Sequence, residues 1–220
     1  MPSQQSSFSV AAVPVARPVS RPKTRDLAVR GAPGFLAALA FGTVMGSHLA
    51  DFGADDLRVR VLNANSDSSW SHVLIAAILV VATAFGVIGA RRQLRQRKLW
   101  SISAAILALL SISELSSLHA KIDQMSWGKL VYAPILLALV SCLWRLSAGT
   151  RFRLLVRAGL GTLVLSFAIH VLGPHVVHVL GYGYDSWAYQ IKVGLKQATE
   201  LAGWLLVVLG AAGLIFTRPA

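Results

Sequence analysis

The sequence predicts an all-α, polytopic membrane protein with six transmembrane helices and both termini on the cytoplasmic side. The first observation is composition: the 220 residues are 55% hydrophobic and 14% charged, with a mean hydropathy of +0.62. Soluble domains carry about 25% charged residues, so this chain is of the membrane class. The other two observations are six apolar stretches of membrane-spanning length and basic residues that concentrate in alternate connections between them.

The N-terminal residues 1–32 differ in composition from the rest of the chain. They are rich in Ser, Pro, Ala and Arg and hold one acidic residue, Asp26. Such a composition cannot bury a core, so we expect a disordered basic tail on the cytoplasmic side. An organellar targeting segment has a similar composition and is the less favoured interpretation. Residues 33–217 then form the six-helix transmembrane domain.

Each apolar stretch is close to the roughly 20 residues that cross about 30 Å of hydrocarbon as a helix. In lipid the backbone must satisfy its own hydrogen bonds, so helices are expected. The predicted spans are 34–52, 71–90, 99–118, 130–149, 155–180 and 195–216. The fifth contains Pro174, which cannot donate a hydrogen bond to the carbonyl of His170, so we expect a kink or break there.

Basic residues orient the predicted helices, because loops rich in Lys and Arg stay in the cytoplasm. Fifteen of the 21 basic residues lie in the tail, in the loop 91–98, around 145–157 and near the C terminus, with Asp26 as their only acidic neighbour. We therefore expect a multi-pass protein of the cell membrane, with an organellar inner membrane less favoured. The basic face is expected to bind anionic lipid. The sequence is also compatible with partner subunits in the membrane, and no motif supports a nucleic-acid partner.

Ionisable side chains concentrate at the outer edge of the predicted bundle. All six histidines, and both glutamates that lie inside apolar stretches, are at or just below this edge. Burying such groups in lipid is costly, so they are functional candidates. We assign His48, Asp51 and His72 to the interfacial rim. The candidate site is drawn from the third, fifth and sixth spans and consists of Glu114, His119, His170, His175, His178 and Glu200.

Imidazole and carboxylate groups are ligands for zinc, iron and manganese, and helix bundles build such sites from inward-facing Glu and His. A divalent metal, Zn, Fe or Mn, is therefore the candidate cofactor, and proton binding is the related interpretation. His175 and His178 share one helix face, and a break at Pro174 would turn both inward. No zincin or di-iron motif is present.

Two simpler interpretations of the glutamates stay open. Glu200 lies four residues after Lys196 and could pair with it on the helix surface. Glu114 lies among serines and could belong to a polar seam that packs the third helix. Small residues, Gly42 with Gly46 and the pairs in the second and sixth spans, are expected to serve packing within the chain rather than between chains.

The stretch SISELSSLHAKID, followed by a Trp, a helix beginning VYAP, a basic turn, another helix and then KQATELAG, resembles a loose group of uncharacterised bacterial multi-span membrane proteins. In that group a helix ends in Asp-Glu…His-Glu, and a later helix opens with Glu-Glu-x-x-Glu before a Gly. The resemblance covers residues 99–216, and Glu114, His119 and Glu200 match its pattern. At four positions where that pattern has an acidic residue, this chain has a non-acidic one: Ser113, Ala120, Gln197 and Ala198. The resemblance implies six spans and an outer polar site with fewer acids, but no particular reaction.

Three functional classes follow from these observations. The first is an integral membrane protein with a metal- or proton-binding site in the outer half of the bundle. In its enzyme form a zinc would activate water, with Glu114 or Glu200 as the base. The second is a structural or regulatory membrane subunit without chemistry of its own. The third is a small transporter component, because the Gly-Pro interruption in the fifth span is suited to a substrate path.

Overall fold

The computed structural model describes residues 24–55, 59–64, 66, 69–116 and 128–216. Within these residues the chain forms six α-helices and one short 3-10 helix, and no strand occurs among them. Most of the predicted tail, the end of the third predicted span and His119 lie outside the described residues. The α-helices are α1 Thr24–Asp55, α2 Trp70–Arg92, α3 Arg97–Leu115, α4 Gly128–Ser147, α5 Arg153–Val179 and α6 Trp187–Phe216.

Five of the described helices are long and apolar enough to cross a membrane, which confirms the all-helical, membrane-type fold class. Their apolar segments are Gly31–Ala54, Trp70–Arg92, Leu94–Leu115, Arg153–Val179 and Trp187–Phe216. The apolar part of α4, Val131–Ser147, is shorter than these segments. The count of six spans and the side on which the termini lie therefore stay predictions.

The helix α6 begins at Trp187, two turns before the predicted start at residue 195. Ser186 stabilises this start, because its Oγ accepts a hydrogen bond from the backbone N–H of Tyr189 at 3.2 Å. One face of these first turns is buried, since Gln190 and Gly194 pack inside the protein. The apolar run alone could not show this extension, because it depends on packing against another helix.

Pro174 does not break α5, so the expected break is wrong. The helix continues from Arg153 to Val179 with Pro174 inside it. Gly173 packs closely on α6, where an added Cβ would lie 2.8 Å from Cγ of Lys192. This close packing supports the helix through the missing hydrogen bond. The helix stops beyond His178 instead, where Gly181 adopts a φ of +77° that favours glycine.

The helix α6 is the centre of the packing. It contacts α1, α2 and α5, while α3 lies between α2 and α4, and α4 lies between α3 and α5. The helices α2 to α6 therefore form a closed ring, and α1 packs on the outside of α6. Large side chains that are almost fully buried fill the core, among them Leu79, Trp100, Leu139, Leu160 and Leu201.

Glycines permit the closest helix contacts, but not at every predicted position. Gly159 of α5 faces Gly203 of α6, so that a Cβ on Gly159 would lie 2.9 Å from the Gly203 carbonyl oxygen. The expected packing role is also found for Gly89, which lies against the Trp100 ring. It is wrong for Gly42 and Gly46, because no side chain or other helix lies within 4 Å of a Cβ added to either.

Two hydrogen bonds of Gln93 hold the short connection between α2 and α3 against the end of α6. Gln93 donates from Nε2 to the carbonyl of Leu214 at 2.9 Å, and its Oε1 accepts from Nε1 of Trp100 at 3.0 Å. The indole N–H of an almost fully buried Trp needs such a partner. The connection therefore has a fixed position on the bundle.

Candidate functional site

The predicted site residues lie at one end of the bundle, which we call the histidine end. At this end α1, α3 and α5 finish and α2, α4 and α6 begin. Contacts across it join Ser113 of α3 to Tyr132 of α4 and Gly173 of α5 to Lys192 of α6. The opposite end, which we call the arginine end, carries the basic connections 91–98 and 148–152.

A cavity of about 110 Å³ lies inside the ring of helices toward the histidine end. We call it the central cavity. All five helices of the ring line it, so its shape depends on their joint packing. Its polar lining consists of Ser113, Glu114, Tyr132, Ser166, His170, Lys196 and Glu200. Its apolar lining consists of Leu79, Leu110, Leu136, Leu163, Phe167 and Trp204.

Lys196 and Glu200 form an ion pair in the wall of the cavity. Nζ of Lys196 lies 2.8 Å from Oε2 of Glu200, and the two side chains are only 22% and 18% exposed. Their spacing of four residues puts them one helix turn apart, so the simpler interpretation of Glu200, which the sequence left open, is confirmed. Glu200 also interacts electrostatically with His72 and His170.

Hydrogen bonds fix the walls on either side of this pair. The hydroxyl of Ser166 donates from α5 to the carbonyl of Lys196 at 2.9 Å. On the opposite wall, Oγ of Ser113 lies 3.2 Å from the phenolic oxygen of Tyr132, which joins α3 to α4. Glu114 follows Ser113 in the last turn of α3 and also lines the cavity. These hydrogen bonds therefore join the helices that carry the acidic groups to their neighbours in the ring.

The structure brings three of the six predicted site residues to one cavity and leaves two others outside it. Glu114, His170 and Glu200 line the central cavity. His175 and His178 do not line it, and both side chains are exposed on the continuous helix α5. The expectation that Pro174 would turn them inward is therefore wrong.

A metal centre finds no support among the described residues. No group of three or more His, Cys, Asp or Glu side chains that could hold a metal ion occurs in the described part of the chain. Structural and catalytic zinc sites use at least three protein ligands. Of the proposed ligands, only His119 lies outside the described residues.

The sequence assigned His48, Asp51 and His72 to the rim, but the structure buries all three. Their side chains are 0%, 3% and 8% exposed. His48 and His72 belong to a hydrogen-bonded network with Gln197 and the backbone of Ala64, which we call the buried network, and Asp51 binds the N–H of Val59 beside it. This network lies beside the central cavity at the histidine end, because Glu200 and Gln197 share the first half of α6.

His48 fixes the connection between α1 and α2. Its Nδ1 accepts a hydrogen bond from the backbone N–H of Ala64 at 3.1 Å. A backbone N–H can only donate, so Nδ1 carries no proton and the neutral ring is protonated at Nε2. Asp51 binds the same connection, since its Oδ1 accepts from the N–H of Val59 at 3.2 Å. These two hydrogen bonds hold the segment 59–64 against the end of α1.

Gln197 joins this segment to His72. Its Nε2 donates to the carbonyl of Ala64 at 3.1 Å and lies 2.8 Å from Nε2 of His72. The Ala64 carbonyl requires a donor, which fixes the orientation of the amide. His72 therefore accepts at Nε2, and its Nδ1–H points to Oγ of Ser69 at 2.9 Å. These hydrogen bonds fix the positions of both buried imidazole rings.

The local sequence gives little indication of the buried network. His48 and Ala64 are 16 residues apart, and Gln197 bonds a carbonyl 133 residues before it. The available signal was the occurrence of Gln190 and Gln197 in the first half of a helix whose second half is apolar. Amides inside apolar segments need buried partners, so they indicate contact with another polar segment.

Comparison with known proteins gives a family without an assigned activity. No curated protein and no solved structure shows significant similarity to the chain. A family model described as a domain of unknown function, DUF8692, matches residues 34–212. The match covers more than half of the chain and includes most or all of every described helix. The chain belongs to the DUF8692 family.

Proposed function

We propose that this protein is a six-span integral membrane protein whose central cavity binds and releases a proton. In this proposal both termini are cytoplasmic and the histidine end faces outward. The concentration of 15 of 21 basic residues in alternate connections supports this orientation. The helix α4 completes the ring around the cavity, which supports its place as a sixth span.

One observation carries the proposal: two carboxylates, an imidazole and a single lysine line one small cavity. Lys196 is within 2.8 Å of Glu200, so this cation balances that carboxylate. The lining therefore holds one cation for two carboxylates, Glu114 and Glu200, and His170 adds one imidazole. With Lys196 positive and Glu200 negative, the net charge of this lining is zero when Glu114 and His170 together carry one added proton. Without that proton, Glu114 is a carboxylate, His170 is neutral and the net charge is −1.

The apolar part of the lining strengthens this preference for a neutral cavity. The rest of the lining is formed by leucines, Phe167 and Trp204, which stabilise charge poorly. Ionised groups in such surroundings are favourable only in pairs, so the proton is expected either on Glu114 or on His170. Tyr132 and Ser166 offer hydroxyl groups that can hydrogen-bond water in the cavity.

Proton binding is favoured over metal binding because a proton needs only one acceptor. The described residues offer no set of three metal ligands, and His175 and His178 are exposed on α5. In the proposal Glu114 and His170 are the proton-binding residues, and the Lys196–Glu200 pair sets the charge beside them.

The experiment is a count of protons taken up after a rapid drop in pH. The protein is placed in lipid nanodiscs and the uptake is read with a soluble pH indicator. We expect Glu114→Gln and His170→Asn each to take up fewer protons than the wild type. His175→Ala is the matched control, because it removes an exposed histidine of the same helix that does not line the cavity.

Metal content is measured on the same samples after incubation with zinc, iron or manganese and removal of free ions. The proposal expects no stoichiometric metal. Unchanged proton uptake in Glu114→Gln and His170→Asn would overturn it. Retention of one metal ion that depends on Glu114 would replace it with the metal hypothesis.

A further inference from the structure

Four arginines surround the turn between α4 and α5 at the arginine end. Arg145 lies in the last turn of α4, and the other three follow the turn or lie in the first turns of α5. They are Arg145, Arg151, Arg153 and Arg157. The sequence contains no Asp or Glu between Asp123 and Asp185, so no acidic residue of this hairpin can balance them.

Arg157 is the most constrained of the four. Its guanidinium carbon lies 3.9 Å from the centre of the Trp144 ring, which joins α5 to α4 by a cation–π contact. Its Nε is buried and has no hydrogen-bond partner among the described residues. Because one face is stacked on the indole, the planar fork of N–H groups can only bind a ligand along its edge.

The surroundings of Arg157 favour an anion with apolar chains attached. Arg153, one turn earlier on α5, is exposed and adds a second positive charge. The start of α5 has no side-chain cap and lies at this end, so the positive end of its helix dipole adds to these charges. Apolar surface is available next to these charges, since Trp144 is 47% exposed and Leu154 is 71% exposed.

Within the described residues none of the four arginines forms an ion pair with a carboxylate. A guanidinium binds a phosphate through two parallel hydrogen bonds, and these charge-assisted bonds are stronger than neutral ones. We propose that Arg157, stacked on Trp144 and assisted by Arg153, binds the phosphodiester headgroup of an anionic phospholipid. The acyl chains of this lipid run along the exposed apolar surface that begins at Trp144 and Leu154.

This lipid site is independent of the proposed proton site. It lies at the opposite end of the bundle and shares no residue with the central cavity. It also differs from general attraction to a basic face, because it depends on one stacked guanidinium rather than on total charge. Substitutions that remove equal charge at different places can therefore distinguish the two.

The test is native mass spectrometry of the full chain in detergent, titrated with phosphatidylglycerol or with phosphatidylcholine. We expect one phosphatidylglycerol to bind before others, and phosphatidylcholine to bind more weakly. Arg157→Gln should lower the affinity for this first lipid by about tenfold, as expected for the loss of a charge-assisted pair. Arg91→Gln is the control, since it removes one exposed charge of the arginine end from the last turn of α2.

Two further variants separate a binding role from a folding role. Arg157→Lys keeps the charge but loses the planar fork, and Trp144→Leu keeps an apolar side chain but loses the stacking surface. Both should weaken the first phosphatidylglycerol while thermal unfolding in detergent shows a folded protein. If Arg157→Gln does not fold, Arg157→Lys and Trp144→Leu still test the proposal.

Three outcomes would overturn the proposal. The first is equal affinity for phosphatidylglycerol and phosphatidylcholine. The second is an equal loss in Arg91→Gln and Arg157→Gln, which would show diffuse attraction to a basic face. The third is displacement of the bound lipid by inorganic phosphate at comparable concentration, which would assign the site to a free phosphate instead.

Discussion

Nδ1 of His48 accepts a hydrogen bond from the backbone N–H of Ala64 at 3.1 Å, although the two residues are 16 positions apart. The His48 side chain is 0% exposed and Ala64 is 1% exposed, so neither group can exchange this partner for water. The carbonyl of Ala64 is bound in turn by Gln197 of α6. One residue of a connection therefore holds α1 and α6 together at the histidine end.

Replacing His48 with Leu should destabilise the connection between α1 and α2. The substitution fills a similar volume but leaves the buried N–H of Ala64 without an acceptor, which costs about 1–3 kcal/mol. Hydrogen exchange of the 59–64 segment, read by mass spectrometry, should become faster. The control is Thr43→Val, because the hydroxyl of Thr43 is exposed and bonds only its own helix at Leu39. Equal exchange in His48→Leu and in the wild type would show that this bond does not hold the connection.

Replacing Gly89 with Ala should destabilise the contact between α2 and the start of α3. The new methyl group would lie 2.7 Å from Cε3 of Trp100, a side chain that is 1% exposed. The indole cannot easily move away, because its N–H is held by Gln93. Overpacking of this kind costs about 1–3 kcal/mol, measured as a lower midpoint of thermal unfolding in detergent.

The matched control for that substitution is Gly42→Ala on α1. No side chain or other helix lies within 4 Å of a Cβ added there, so no clash is expected. Alanine also favours helix over glycine by about 1 kcal/mol, so the stability should stay equal or rise slightly. A loss of stability in Gly42→Ala as large as that in Gly89→Ala would contradict the packing described for α1 and α2.

Replacing Lys196 with Met should change the charge of Glu200. The lysine is the cation within 2.8 Å of this carboxylate, and the Glu200 side chain is only 18% exposed. A largely buried carboxylate that loses its cation is costly in its ionised form, so we expect it to take up a proton. An infrared band of a protonated carboxyl group should appear in Lys196→Met and vanish in Lys196→Met with Glu200→Gln. No new band in the single variant would show that another group balances Glu200.

The position of the central cavity follows in part from the sequence. The rise of a helix places Glu114 and Glu200 at similar depth once the spans are assigned, whereas His170 lies deeper in the predicted fifth span. The structure lines one cavity with these three residues. The ion pair of Glu200 with Lys196 also follows from spacing, since residues four apart are neighbours on a helix.

The remaining site residues depend on information that spacing does not contain. His175 and His178 were expected to turn inward because a proline inside a helix removes a hydrogen bond, but packing of Gly173 on Lys192 supports a continuous helix. The burial of His48 depends on a connection that folds back onto the helix end. Such long-range pairing is determined by tertiary packing, so a rim position and a buried position look alike in the sequence.

The most direct test of the central claim is the infrared difference spectrum between acidic and neutral pH, recorded on the protein in lipid nanodiscs. The account predicts a pH-dependent band of a protonated carboxyl group that is lost in Glu114→Gln and altered in His170→Asn. The band should persist in His175→Ala, whose side chain is exposed outside the central cavity. A spectrum of Glu114→Gln identical to that of the wild type would contradict proton binding at the central cavity.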